Sequence, residues 1–597
     1  MITNINNRKR RSLCTKLVGL SFVIYHLLFS VACNDFLTIY PTDKTVGTDF
    51  WKTKGDVQGM VDGAYSSMTA YSVQERAIIW GAFRSDELVK RSGFSNQTLD
   101  NISAMNLLPT NGYNSWAGFY NVINRCNIVL KHAPEVMLED PEFTEGDYQV
   151  VRAQMLALRS LCYFYLVRTF HDVPMTEESF EDDSQNMVLE QSAPAVVLQK
   201  CLDDLAEAEQ YIMKSGAYGY GDWRNKGYMT RDAVCALMAD IYLWRASMTH
   251  SATDYGLCIS YVDKVIAAKD QYYKQYHQNG AIASTGDIYH LENANLAMYT
   301  IFGEGNSHES ILEWQYGAST NYNEALENLY HQEGNKDSYR QYGMVLASSI
   351  FNSVDPEKAH SEQELKVFFS RNDYRFWNNV YEANNEEAQQ LNIRKMVDAS
   401  TTVVSTTGAT GISKPAGSNY EGFKRNWIVY RLTDLMLMKA EALVETAGDD
   451  ADRMEQAFNL VQTVNKRSML STARDTLVFS DFKTKTDMEL LVMAEREREL
   501  CFEGKRWWDL VRYCYRHMEG VDINARLADR DSWPELYKPM LKMVVRKYGD
   551  SGEGDAVTFK MKSEPFLYWP VQESETKVNP LIKQNPVYIQ EKSTAKN

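Results

Sequence analysis

Proline is scarce in this chain, 14 residues in 597, which argues against long disordered linkers. None of the nine cysteines stands in a C-x-x-C pair. A zinc ribbon or a thioredoxin-type redox site is therefore not expected. Positive charge is short as well: 63 Lys and Arg face 79 Asp and Glu, a net charge of −16. Nucleic acid is excluded as a partner on that balance. There is no H-E-x-x-H, no G-x-S-x-G and no Walker loop, so the zinc-protease, serine-hydrolase and P-loop classes drop out. A glycosidase's carboxylate pair cannot be sought by counting among 79 acids. Beyond the first segment no stretch reads as long and apolar enough to cross a membrane.

Aromatics are plentiful: 36 Tyr and 12 Trp within an aromatic share of 12%. Hydrophobic residues make up 44%, ample for a large core. Cys126, Cys162, Cys201, Cys235, Cys258, Cys501 and Cys514 are scattered, most of them within apolar helical patterns, and read as buried free thiols.

The first segment reads as an address. Arg8, Lys9, Arg10, Arg11 and Lys16 precede an apolar run from Leu17 to Phe29, and "SVACNDFL" follows. A basic start, a short apolar stretch and small residues before a cut mark an export signal. Cys33 stands where a bacterial lipoprotein is lipidated. Val31 and Ala32 fit that box, and Ser30 replaces the usual Leu. The run is short for a span and is interrupted by His26. Residues 1–32 carry five positive charges and no negative one, so the mature chain would hold −21. Its body is expected to be tethered to a membrane through lipid alone.

Several windows repeat apolar residues at helical spacing. In "APAVVLQKCLDDLAEAEQYI", Val197, Cys201, Leu205, Ala208 and Ile212 share one face, with Pro194 placed to open the helix. "TRDAVCALMADIYLWRA", "RLTDLMLMKAEALVE", "MEQAFNLVQTVNKRS" and "VRAQMLALRSLCYFYLVRTF" behave alike. Small Ala at inward positions lets helices approach closely, in the manner of an irregular tetratricopeptide-type helix pair. The stretches at 73–113, about 274–345 and 350–420 are rich in Asn, Ser, Gly, Thr and aromatics and read as long irregular segments, a kind often functional. "DASTTVVSTTGATGISKPAGSN" reads as an exposed loop or short hairpin. The expectation is an all-α scaffold over about 50–275 and 425–520. It carries a loop-rich insert at about 276–424 and an irregular C-terminal segment at about 521–597.

Six motifs in order resemble the SusD/RagB family of outer-membrane nutrient-binding lipoproteins. They are "CNDFLTIYPTD" with "FWKTKGDVQGMVDGAYSSM"; "WAGFYNVINRCNIVL"; "ALRSLCYFYLVRTFHDVPM", with His171 for the usual Gly; "YRLTDLMLMKAEAL", carrying Arg431, Asp434 and Glu441; "ERERELCFEGKRWWDLVRY"; and "YWPVQESETKVNPLIKQNPVY", with Val587 for the usual Gly. They run from Cys33 to Tyr588. The resemblance implies one SusD-like domain over residues 33–597 at the outer membrane, facing the exterior. It further implies a non-catalytic protein that captures oligosaccharides or polysaccharides and caps a SusC-like TonB-dependent barrel. A RagB-like peptide-capturing subunit is the alternative, and a helical lipoprotein that assembles envelope proteins a third reading. No cofactor is implied, although acidic loops would permit a structural Ca²⁺.

The charged stretch Glu495 to Tyr513 reads as scaffold. Glu495, Arg496, Arg498 and Glu499 stand at helix-pairing distances, Gly504 ends one helix, and Arg506, Trp507, Trp508 and Asp509 begin the next. Ligand contacts vary within the family and are sought in the loops. Trp80, Arg84 and Asp86 form one candidate group, Trp314, Tyr316, Asn321 and Tyr322 a second, and Trp377 a third, with Asp373 and Arg375 beside it as a local ion pair. Aromatic-rich loops favour sugar, whose C–H faces lie on rings, over peptide.

Overall fold

The computed structural model describes residues 50–182, 184–276, 288–317, 321–330, 343–352, 369–383, 391–397, 403–405, 411–413, 424–470, 477–549 and 551–589. Cys33 and the export segment lie outside them. Helices dominate, and some of the long ones begin where the sequence supplies a side-chain cap. In α1 (Lys54–Met68) and α4 (Glu145–Phe170), Thr53 and Thr144 form reciprocal capping boxes with Asp56 and Asp147. Helix α2 (Tyr71–Ile78) runs into a π-helical turn over Ile79–Phe83, so the first part of 73–113 is helical rather than irregular. Then come α3 (Ala117–Glu139), α5 (Pro194–Tyr211, opened by its proline), α6 (Arg231–Thr249) and α7 (Ala252–Tyr276). After the insert follow α8 (Leu432–Ala447), α9 (Ala451–Ser468), α10 (Lys485–Leu500) and α11 (Arg506–Arg516).

Neighbours in sequence pack on each other: α3 on α4, α4 on α5, α6 on α7, α8 on α9. Helix α7 packs on α8, which joins the two scaffold halves. The face read from Val197, Cys201, Leu205, Ala208 and Ile212 is buried, as are the seven cysteines. Helix α4 corrects the expectation that no later stretch could cross a membrane. It is long and apolar enough by composition, yet 89% of its apolar window is buried inside the protein, so it serves as the central core helix.

The strands are short. β1 (Leu88–Lys90) pairs antiparallel with β3 (Val345–Ala347), and β2 (Ser310–Trp314) with β4 (Trp427–Arg431), Trp314 lying opposite Trp427. The β2–β4 pair ties the insert to the scaffold. Val403–Ser405 and Gly411–Ser413 form the short hairpin expected there. The C-terminal segment is less irregular than expected, since it holds short helices at Lys538–Val545, Glu553–Lys560 and Glu573–Val578.

The charged stretch lies in the core. Helix α10 ends at Leu500, Gly504 takes φ +67°, and α11 starts at Arg506. Trp507 and Trp508 are buried. Pairing along a helix, expected from the spacing, accounts for Arg498 with Glu495 at 2.8 Å and Arg512 with Asp509 at 2.7 Å. The rest reaches across the fold. Arg496 meets Asp434 at 3.0 Å and Asp509 at 2.9 Å, and Arg506 meets Asp86 at 3.0 Å and Glu497 at 2.8 Å. Glu499 receives Arg431 at 2.6 Å, Arg375 at 3.0 Å and Arg467. Burial pushes its carboxyl up, and the three guanidiniums together hold it well below the usual range. Arg375 also holds Asp373 at 2.7 Å.

Candidate functional site

An open cleft of about 320 Å³ lies where α1, β2 and the loop before α6 meet. Trp314, at the end of β2, belongs to the core with 4% of its surface exposed and reaches the cleft lining from beneath. Trp223 and Tyr228 come from the short segment between α5 and α6, and Tyr65, Ser66 and Thr69 from the end of α1. Gln315 and Asn321 close the remaining side.

The local chain explains why these rings stand there. A Cβ at Gly227 would come 2.7 Å from both the Trp223 ring and Gln315 Cγ, so only glycine lets Trp223 fold back over the cleft. Tyr228 is clasped between Tyr65, stacked at 4.6 Å, and Trp223, edge-on at 5.5 Å. Its hydroxyl donates to Asp62 Oδ1 at 2.6 Å, which also accepts from Gln58 at 2.9 Å. Burial and then the Asp62 carboxylate push the Tyr228 phenol above its ordinary range. Tyr65 donates to Gln154 Oε1 at 3.0 Å and accepts the Met229 N–H at 2.9 Å. Asn321 Nδ2 donates to the Gln315 carbonyl at 3.0 Å, and its Oδ1 accepts from the Thr69 hydroxyl at 3.3 Å. The rings are thus fixed before any ligand arrives. Trp223 keeps 48% of its surface in solvent.

Of the candidates drawn from the sequence, the cleft unites Trp314 and Asn321. Tyr316 braces its edge, its hydroxyl donating to the Thr69 carbonyl at 3.2 Å. Tyr322 stands beside Asn321, 52% exposed. Three other candidates are corrected. Trp80 is fully buried, donates to the Tyr113 carbonyl at 2.8 Å and stacks on Phe119. Arg84 is buried, donates to the Leu567 carbonyl at 2.8 Å and lies 4.1 Å over the Trp507 ring. Asp86 is buried between Arg506 and Arg546, which more than offset the upward push of burial and hold it below the usual range. None of the three can reach a ligand, because all are shut off from solvent in the core. Trp377 is half-buried against Phe376, donates to the Arg371 carbonyl at 3.0 Å and does not line the cleft. Among the described residues no three acidic, His or Cys side chains converge as a group that could hold a metal ion.

Sequence reasoning missed Tyr65, Trp223 and Tyr228. The signal was present in "YGYGDWRNKGY", aromatics alternating with glycine between two helical windows.

The model of the SusD family matches residues 270–588, and a second model, described as "Starch-binding associating with outer membrane", matches residues 35–243. The chain belongs to the SusD/RagB family. SusD-like protein P38 of Formosa agariphila is 24% identical over 532 residues, covering 85% of this chain and 94% of that relative. SusD-like protein P2 of the same organism is 21% identical, covering 83% and 90%. Among solved structures, a SusD superfamily protein from Bacteroides thetaiotaomicron superposes with a TM-score of 0.60 at 17% identity, covering 89% of this SusD-family chain and all of the other. NanU of B. fragilis superposes with a TM-score of 0.58 at 18% identity, covering 92% of this chain. At these identities the structures speak for the fold.

Proposed function

We propose that this SusD-family protein is a non-catalytic glycan-binding lipoprotein of the outer membrane, and that it takes up its ligand in the Trp314–Trp223–Tyr228 cleft. The observation that carries the reading is the preorganised aromatic cleft with amide and hydroxyl groups at its rim. Flat rings accept the C–H faces of a sugar, and Asn321, Gln315, Ser66 and Thr69 can meet its hydroxyls. Each aromatic contact contributes about 0.5–1.5 kcal/mol, so three rings give about 1.5–4.5 kcal/mol, an affinity on the order of millimolar at best from the rings alone. Such affinity suits a protein that must release what it catches. Asp62 is the one carboxylate in the cleft lining, whereas glycoside hydrolysis calls for two facing each other across the bond. The family description, with its starch binding and its outer-membrane association, supports the same reading.

In this proposal Cys33 carries the lipid anchor and a SusC-like TonB-dependent transporter receives the ligand. Fatty-acid labelling lost in Cys33→Ala, and co-purification of such a barrel from native membranes, check these two parts. The cleft is tested by calorimetric titration of residues 34–597 with a panel of polysaccharides and peptides. Saturable binding to one glycan class without cleavage, weakened in Trp223→Ala, is the expected result. Binding to peptides alone would overturn it in favour of peptide capture, and turnover of any glycan would overturn the non-catalytic part.

A further inference from the structure

Next to the cleft the chain spends a loop on holding aromatic rings outside the core. Between α5 and α6, Tyr220 is 60% exposed and Trp223 48%, while Tyr276 at the end of α7 is 38% exposed. Tyr220 packs on Tyr276 at 5.0 Å and lies nearly parallel to Tyr272, with centroids 6.4 Å apart. Tyr272 and Tyr276 meet at 4.8 Å. The three rings form a cluster whose Tyr220 ring stays largely exposed, and Trp223, three residues along the chain from Tyr220, lies in the cleft lining.

This loop is built to keep its shape. Asn225 is buried and ties the turn from both sides. Its Oδ1 accepts the Gly216 N–H at 2.8 Å, and its Nδ2 donates to the Gly219 carbonyl at 2.7 Å and the Asp222 carbonyl at 3.1 Å. Gly216, Gly219 and Gly221 all adopt positive φ. At Gly216 a Cβ would strike the Tyr272 ring at 2.6 Å. Glycine is used there to bring the loop down onto Tyr272, which leaves Tyr220 facing outward. Rings held rigidly in water are a poor use of apolar surface unless something covers them.

Charge narrows what that is. The cleft lining contains the Asp62 carboxylate and no Lys or Arg. Beside the rings, Arg224 is taken by Asp222 at 2.7 Å and Lys274 by Asp270 at 2.6 Å. A ligand rich in carboxylate or sulfate would meet Asp62 in the cleft without a cation to answer it.

We infer that the Tyr220–Tyr272–Tyr276 cluster is an outer sugar-binding platform continuous with the cleft, and that the ligand is an uncharged oligosaccharide long enough to lie on both. The inference rests on the cleft's being a glycan site. The test uses neutral ladders from two to about eight units of the maltose, cellobiose, laminaribiose, xylobiose and mannobiose series, with oligogalacturonate as the acidic comparison. They are titrated into the wild type, Tyr220→Ala, Tyr220→Phe, Tyr276→Ala and Trp223→Ala. Affinity for one neutral ladder should rise with length. Tyr220→Ala and Tyr276→Ala should each weaken the long members by about three- to tenfold and leave the di- and trisaccharide unchanged. Tyr220→Phe should keep the wild-type profile, because the ring face makes the contact. Trp223→Ala should weaken every length. Affinity that is flat with length, or equal loss at all lengths in Tyr220→Ala, overturns the platform and leaves the cleft standing. Preference for oligogalacturonate overturns the uncharged ligand. Absence of binding by every sugar removes the cleft reading and the platform with it.

Discussion

Gly81 and Gly504 stand where two backbones touch, and adding one carbon at either should loosen the joint between α2 and α11. A Cβ at Gly81, in the π-helical turn, would lie 1.8 Å from the Gly504 carbonyl oxygen and 2.6 Å from its carbon. Carbon–oxygen contacts settle at about 3.3 Å, so the two chains would have to part by roughly 1.5 Å. Both partners are backbone, and no side chain can swing away. A Cβ at Gly504 would lie 2.8 Å from the Ala77 carbonyl oxygen and 3.1 Å from the Trp427 ring, and φ there is +67°. Overpacking costs about 1–3 kcal/mol and a left-handed non-glycine residue about 1–2 kcal/mol. Gly504→Ala should therefore lose about 2–5 kcal/mol, and Gly504→Asp more. Two other glycines separate these terms. Gly93 has φ +77° with nothing within 4 Å, and Gly59 lies in α1 with nothing within 4 Å. Gly93→Ala should pay only for the dihedral, and Gly59→Ala should gain up to about 1 kcal/mol. A chain of this length unfolds with an entropy near 1.2 kcal/mol per kelvin, so even 5 kcal/mol moves a cooperative melt by only about 4 °C. Urea midpoints at constant slope are the sharper assay. If Gly81→Ala proves no worse than Gly93→Ala, or if Gly504→Asp folds normally and loses only ligand, the structural account of the charged stretch fails.

Glu499→Gln should cost about 3–5 kcal/mol in urea unfolding, because it leaves Arg375, Arg431 and Arg467 short of a buried counter-charge. Lys577→Met, which removes an exposed pair with Glu573, should stay within about 0.5 kcal/mol. Burial, and then the Glu309 carboxylate, push Glu292 up to about 7. The folded state then keeps its proton after the unfolded chain has lost its own, so stability falls as pH rises from the ordinary carboxylate value to about 7. Glu292→Gln should accordingly match the wild type near pH 4 and exceed it by about 1–3 kcal/mol at pH 8; an equal difference at both would refute the assignment. Trp223→Ala should weaken glycan binding about three- to tenfold with the melt unchanged. Trp80→Ala should cost about 3–5 kcal/mol of stability and leave affinity alone in whatever folds.

Helices could be read from the chain because their information is local. The face from Val197 to Ile212 is set by residues within a turn or two of each other, and so is the break near Gly504, although the helix already ends at Leu500. The ion network could not be read so. Spacing along α10 suggested pairs on one surface, while the partners of Glu499 come from residues 375, 431 and 467, on three separate elements. A run of alternating charges looks solvated until the fold brings opposite charges to it. The cleft was half visible for the same reason. Trp314 and Asn321 lie seven residues apart and were found together, whereas Tyr65 and Trp223 join them only through packing.

Tryptophan shows where the limit lies. Trp80 and Trp223 both carry a glycine nearby, and both belong to helical segments, Trp80 inside the π-helical turn and Trp223 just before a short helix at Arg224–Gly227. Their neighbours differ. Trp80 stands in "IIWGAF", with Ile78, Ile79, Ala82 and Phe83 around it, all buried. Trp223 stands in "YGYGDWRNKG", between an acid and two bases. A ring whose flanking residues are themselves core formers is drawn inside with them, because α-helical or π-helical winding turns those neighbours to every side. Glycines and charges have no such pull, so the ring among them stays at the surface and needs another partner. The flanks therefore decide the role of a tryptophan here better than its presence in a loop-like stretch. On that rule "NDYRFWNNV" falls between the two cases: Trp377 has Phe376 on one side and Asn378 on the other, and the structure leaves it half-buried.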